Sequence, residues 1–103
     1  MYRLIAIDLD GTLLNSQMVI TPHTAQTVKH AHEMGVCIAL ASARPYRSVC
    51  DLAGQLGLKD VPIICGGGSD VRMFPSGDVL HRVSLDRYEV RKCADFCHKH
   101  NQY

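Results

Sequence analysis

Leu4-Ile5-Ala6-Ile7-Asp8-Leu9-Asp10-Gly11-Thr12-Leu13-Leu14 is the stretch from which the fold can be read. Its apolar opening, Leu4 to Ile7, is too short for a globular helix and rich in branched residues, which predicts a buried strand. The strand stops at two carboxylates in an i, i+2 relation, followed by a glycine and a threonine. In doubly wound α/β folds, ligands gather beyond the carboxyl ends of the strands, so an acid there is placed to react. Two carboxylates this close repel each other unless a cation lies between them or one is protonated. Gly11 allows backbone N–H groups to approach an anion closely. Together these parts predict a magnesium-assisted site for a phosphorylated ligand. A bare D-x-D would also fit an acidic loop without chemistry; the complete string behind an apolar strand does not.

Bulk properties narrow the field. At 103 residues the chain is one domain or less, with a modest core. Its net charge of +1 and interspersed acids and bases offer nothing to nucleic acid or to an anionic membrane surface. No secretory leader opens the sequence and no apolar run approaches a membrane span. The five cysteines (Cys37, Cys50, Cys65, Cys93 and Cys97) are odd in number and scattered. That pattern predicts reduced, packed thiols in a cytoplasmic protein rather than a disulfide framework.

Beyond the acids, Asn15 to Ile20 forms a connector, and Thr21-Pro22 then announces a helix, threonine as cap and proline in the first turn. Ala25, Val28 and Ala31 or His32 follow at helical spacing up to Gly35, a natural stop. His23, His30 and His32 lack a helical metal partner, because Gln26 and Val28 stand four residues before His30 and His32. Val36 to Ala41 reads as a second strand, broken by Ser42-Ala43-Arg44-Pro45. Ser42, at the end of a strand neighbouring the first, is placed to donate to a phosphoryl oxygen or to cap the next helix. That helix is expected from Pro45 to Leu56, with Val49, Leu52, Ala53 and Leu56 on its apolar face. Arg44 and Arg47, near the helix start, read either as ligands of a substrate phosphate or sugar acid or as plain surface charges, and only Arg44 is kept as a candidate.

Val61 to Cys65 predicts a third strand, ended by Gly66-Gly67-Gly68, which resembles a phosphate-cradling loop only loosely and reads first as a hinge or linker. Val71–Phe74 and Val79–Val83 flank Pro75-Ser76-Gly77-Asp78, a hairpin signal. Ser84 is the expected cap of a last helix, Leu85 to His100, with a packed stripe of Leu85, Tyr88 or Glu89, Cys93, Phe96 and Cys97. Cys93, Cys97, His98 and His100 lack the second separated pair that a zinc site requires.

The string Asp8-Leu9-Asp10-Gly11-Thr12-Leu13-Leu14 resembles the first motif of the haloacid-dehalogenase-like hydrolases. The resemblance implies that Asp8 is a nucleophile forming an aspartyl-phosphate and Asp10 a general acid/base. It implies Mg2+ held by the Asp8 carboxylate and the Asp10 backbone carbonyl, and substrate binding by Gly11, Thr12, Ser42 and Arg44. It also implies a flap over Asn15–Ile20. Ser42, Arg44 and Pro45 match the family's second motif, but Ala43 stands where glycine is usual, a departure that matters if the backbone there needs positive φ. Gly67 stands where an asparagine is common. The hairpin and last helix resemble the start of the α/β cap of the Cof-type sugar-phosphate phosphatases.

The implied architecture is α/β: a three-stranded parallel Rossmann-like half-sheet with helical crossovers, then a β-hairpin and helix. Residues 1–68 would be the amino-terminal part of the hydrolase core and residues 69–103 the beginning of a cap. The resemblance spans only the opening part of a family member. The family's third-motif lysine has no counterpart in Lys29, Lys59, Lys92 or Lys99, and its acidic fourth motif is absent. The implied function is a magnesium-dependent phosphatase of small phosphate monoesters, with a small phosphorylated metabolite as ligand. The alternative is a truncated, inactive remnant with a binding or assembly role. Apolar residues on both faces of the first strands predict self-association through an uncovered sheet edge or face.

Overall fold

The computed structural model describes residues 2–102. Three strands, β1 (Leu4–Asp8), β2 (Cys37–Ala41) and β3 (Val61–Cys65), lie parallel in that order. Helix α1 (Pro22–Glu33) crosses from β1 to β2, and α2 (Tyr46–Gln55) from β2 to β3. Thr21 caps α1 as its sequence predicts, its Oγ1 accepting from the Thr24 N–H at 3.2 Å, with Pro22 opening the first turn. Gly35, at φ 87°, ends that helix in the left-handed region that glycine enters without steric cost. The connector before it closes on Asn15, whose Oδ1 accepts from the Gln17 and Val19 N–H groups at 3.0 Å.

Right-handed crossovers stepping in one direction put both helices on one side of the sheet. The core shows this side filled: Ile38 and Leu40 of β2 and Val61, Ile63 and Cys65 of β3 cluster with Val28 of α1 and Val49 and Ala53 of α2. Leu9, Leu13 and Leu14 join the same cluster, so the loop after β1 is anchored by three buried leucines. Within that loop the Leu13 N–H donates to Asp8 O at 3.1 Å and Leu14 N–H to Leu9 O at 2.8 Å. β1 itself is poorly covered, with Leu4 54% and Ile5 40% exposed.

The sheet does not stop at β3. β4 (Asp70–Phe74) pairs antiparallel with β3 from Val61↔Phe74 to Cys65↔Asp70, and β5 (Val79–Arg82) pairs with β4. The result is a five-stranded mixed sheet, parallel at its start. The hairpin is fastened to α2 by the Tyr46 hydroxyl, which donates to Met73 O at 2.8 Å. The Arg72 guanidinium lies 5.2 Å from the Tyr46 ring centroid, a cation–π distance.

The last helix, α3 (Arg87–Lys99), differs from expectation at its start and along its stripe. Its cap is Asp86 rather than Ser84: Asp86 Oδ1 accepts from Glu89 N–H at 2.8 Å while Glu89 Oε2 accepts from Asp86 N–H at 3.3 Å. That reciprocal box satisfies two orphan donors, which a lone serine two residues earlier cannot do. The stripe is not packed, because α3 leaves the sheet and its residues are exposed, Tyr88 at 67% and Phe96 at 61%. Cys93 and Cys97 are therefore exposed, and among the five free thiols only Cys65 is buried. Among the described residues, no helix is long and apolar enough to cross a membrane.

Candidate active site

Parallel pairing brings the carboxyl ends of β1 and β2 to one edge, with Asp8 opposite Ala41. Asp8, Ala41, Ser42, Ala43, Ile64, Gly67 and Gly68 line one hollow of 310 Å³ there. Asp8 and Ser42, separated by a whole crossover in sequence, thus face a common space. The Thr12 hydroxyl reaches back to Asp8 Oδ2 at 3.4 Å. Gly11 turns the loop between the acids and Thr12 at φ 80°. A second hollow of 620 Å³ lies across the glycine turn, lined by Tyr46, Arg47, Cys65, Asp70 and Arg72 among others. It contains none of Asp8, Asp10, Gly11, Thr12, Ser42 and Arg44, so the smaller one is the candidate site.

Arg44 and Asp10 form a fork. Arg44 Nη2 donates to Asp10 Oδ1 at 2.6 Å and Nε to Oδ2 at 3.1 Å. The hydrogen bond to Asp10 is the main reason that the Arg44 guanidinium holds its proton even more firmly than usual, outweighing the opposing desolvation. Neither Asp10 nor Arg44 lines the hollow, so the structure gathers the predicted residues into two groups: Asp8 with Thr12 and Ser42, and Asp10 with Arg44.

Ser42 is buried and its Oγ accepts from the Arg44 N–H at 3.1 Å. It does not cap α2, whose N-cap is Pro45 without a side-chain bond. The Ser42 turn ends too early for its oxygen to serve the first helical N–H groups. Ala43 is not among the residues with positive φ, so alanine replaces the family's usual glycine there without backbone strain.

Gly66–Gly68 form one 3₁₀ turn with all three φ values positive, at 57°, 67° and 97°. The Gly66 N–H donates to Arg44 O at 3.2 Å and the Gly67 N–H to Ser42 O at 3.4 Å, tying the loop after β3 to the loop after β2. Gly67 and Gly68 also line the hollow beside Asp8, a placement that sequence reasoning missed. The available signal was three glycines directly after a third apolar strand, at the edge already holding Asp8 and Ser42.

The donor set expected for a metal is all oxygen, the Asp8 carboxylate and the Asp10 carbonyl, which suits a hard cation. Among the described residues, no group of three or more His, Cys, Asp or Glu side chains could hold a metal ion.

Fold and site together define an α/β protein of Rossmann-like type whose acids, Asp8 ending the first strand and Asp10 in the loop after it, sit at the carboxyl edge of the sheet. The chain belongs to the haloacid dehalogenase-like hydrolases, whose family model matches residues 5–103. It is similar to a 5-amino-6-(5-phospho-D-ribitylamino)uracil phosphatase of Bacillus subtilis strain 168, with 30% identity over 98% of this chain and 34% of the relative. It is also similar to an HMP-PP phosphatase of Enterobacter sp. strain 638, 36% identical over 84% of this chain and 31% of the relative. Among solved structures, a haloacid dehalogenase-like hydrolase from B. subtilis superposes with a TM-score of 0.85 at 27% identity, over 96% of this chain and 34% of that one. One from Bacteroides thetaiotaomicron gives 0.83 at 29% identity, over 95% and 39%. The chain spans about a third of the length of these relatives.

Proposed function

We propose that this chain carries the nucleophile-bearing part of a magnesium-dependent phosphatase site for small phosphate monoesters such as sugar phosphates. The observation that supports it most is the shared hollow of Asp8, Ser42 and the glycine turn at the carboxyl edge of a parallel sheet, in a chain whose relatives are phosphatases. In this reading an Asp8 carboxylate oxygen attacks phosphorus and the P–O bond to the leaving group breaks. Asp10 gives that departing oxygen its proton. Water, deprotonated by Asp10, then attacks the aspartyl-phosphate and releases inorganic phosphate, restoring Asp8. Ser42 donates to a phosphoryl oxygen, and Thr12 steadies the Asp8 carboxylate. Mg2+, held by Asp8 and the Asp10 carbonyl, would offset the negative charge of nucleophile and phosphate.

A specific observation favours a second reading, that the 103-residue chain binds phosphate without turning it over. None of its lysines lies at the site: Lys29 pairs with Glu33 at 3.9 Å, Lys92 sits over the Tyr88 ring at 5.0 Å, and Lys59 and Lys99 lie in the segment between α2 and β3 and in α3. Removing one preorganised electrostatic group costs on the order of a hundred- to a thousand-fold in rate. Assay of p-nitrophenyl phosphate with magnesium separates the two. Turnover at an ordinary enzymatic rate, abolished by Asp8→Asn, supports a complete site. Phosphate binding without turnover supports the second reading. In either case we propose that the chain associates with itself through the exposed β1 side.

A further inference from the structure

We propose that Arg44 is a positioning residue for Asp10, holding its carboxylate in a two-point fork, and is not a ligand of the substrate phosphate. The inference rests on the reading of Asp10 as acid/base. Both guanidinium contacts go to different oxygens of the one carboxylate. A planar fork of this kind fixes rotation as well as position, so Asp10 cannot turn without breaking a bond. Arg44 is itself held on both sides of its backbone. Its N–H donates to the buried Ser42 Oγ at 3.1 Å, and its carbonyl accepts from Gly66 N–H at 3.2 Å. A continuous path of hydrogen bonds thus runs from the glycine turn and Ser42, which line the hollow with or beside Asp8, through Arg44 to Asp10. The chemistry assigned to Asp10 needs a side chain that returns to one place between accepting and giving a proton, and the fork supplies that placement. A phosphate ligand would have to take the guanidinium from Asp10, releasing the group that the reaction needs in position.

The test is nuclear magnetic resonance of the Arg44 Nε–Hε group in the 103-residue chain. In the wild type its hydrogen exchange should be slower than in Asp10→Ala by roughly two- to fivefold, the protection an exposed ion pair can give. Adding inorganic phosphate with magnesium should leave the Arg44 signal in place. Arg44→Lys keeps the charge and loses the fork. It should move the Asp10 carboxyl carbon signal as far as Arg44→Gln does, with the amide signals of Ser42 and Gly66 unchanged. Equal Arg44 exchange in wild type and Asp10→Ala would overturn the proposal, as would a phosphate-induced shift as large as that of Asp10→Ala. So would full retention of the Asp10 signal in Arg44→Lys. The underlying phosphatase reading fails separately, by absence of phosphoryl transfer from acetyl phosphate to Asp8, and that result does not alter the Arg44 signals.

Discussion

Gly66 is the residue near the site with the least freedom to change. Its φ is 57°, and a Cβ built on it would lie 2.7 Å from Ser69 Oγ, which itself donates to Gly66 O at 2.9 Å. Alanine here suffers both left-handed strain and a clash, so Gly66→Ala should destabilise the chain by about 1–3 kcal/mol in urea unfolding. Gly67 is the control: its φ is 67° but the space is open, so its alanine variant should lose less. Magnesium binding is also decided by single residues. On the proposed reading, in which the Asp8 carboxylate and the Asp10 carbonyl are the protein donors, and given the preference of magnesium for octahedral oxygen coordination, calorimetry should find weak binding. Tight binding abolished by Asp8→Asn would reveal a further ligand. The placement of Asp8 and Ser42 was legible in the sequence, because each ends an apolar run and parallel strands carry such ends to one edge. The Arg44–Asp10 fork was not, since a contact between residues 34 apart depends on how two loops meet rather than on any local pattern.

Between elements, the contact of α2 with the hairpin is the one with a pH signature. The Tyr46 hydroxyl, donating to Met73 O, has its pKa pushed up to about 12, chiefly by burial and then by the neighbouring Cys50. An unfolded tyrosine titrates near 10. The folded state therefore holds this proton more tightly, and the contribution is complete below about pH 10 and lost as pH rises towards 12. Tyr46→Phe should cost roughly 0.5–1.5 kcal/mol at neutral pH, and less or nothing at the alkaline end. Parallel melting curves of the two proteins across that range check it. Asp70 behaves oppositely: burial disfavours its charge, but hydrogen bonds from Arg82 and Arg72 outweigh this and hold its carboxyl below the usual range. Its help to the hairpin is present above that range and fades in acid. Helices α1 and α2 and the three parallel strands were legible from periodicity and from breakers such as Pro22 and Gly35. The cap of α3 was read two residues early because Ser84 precedes a stronger Asp86–Glu89 box. That β4 and β5 extend the core sheet had no local signal, since a hairpin reads the same wherever its edge pairs.

At the scale of the whole molecule, the chain is longer and more open than its size requires. Its radius of gyration is 16.5 Å with extents of 52 × 31 × 24 Å, whereas a compact domain of this length has about 13 Å. Exposed apolar groups lie at both outer strands, with Val79, Leu80 and Val83 on the β5 side, and on α3. β1 is an outer strand of the sheet, with Tyr2, Leu4 and Ile5 all exposed, and α3 presents Tyr88, Val90 and Phe96. An outer strand with apolar side chains and free backbone groups is a template for another strand, and no charged residue between Leu4 and Ile7 opposes pairing. The 103-residue chain should therefore self-associate at micromolar concentration, joined through β1 or the face of the sheet turned away from α1 and α2. Light scattering over a dilution series reads the mass directly. Ile5→Lys, at a position already 40% exposed, should shift the chain towards monomer, because lysine on an outer strand disfavours pairing at little cost to the fold. Alkylation of the exposed Cys93 and Cys97 tells whether α3 takes part in the contact instead. If β1 is the joint, both thiols stay reactive across the dilution series; if α3 is the joint, their labelling slows as concentration rises. A wild-type chain that stays monomeric and soluble at every concentration would show that neither surface recruits a second copy.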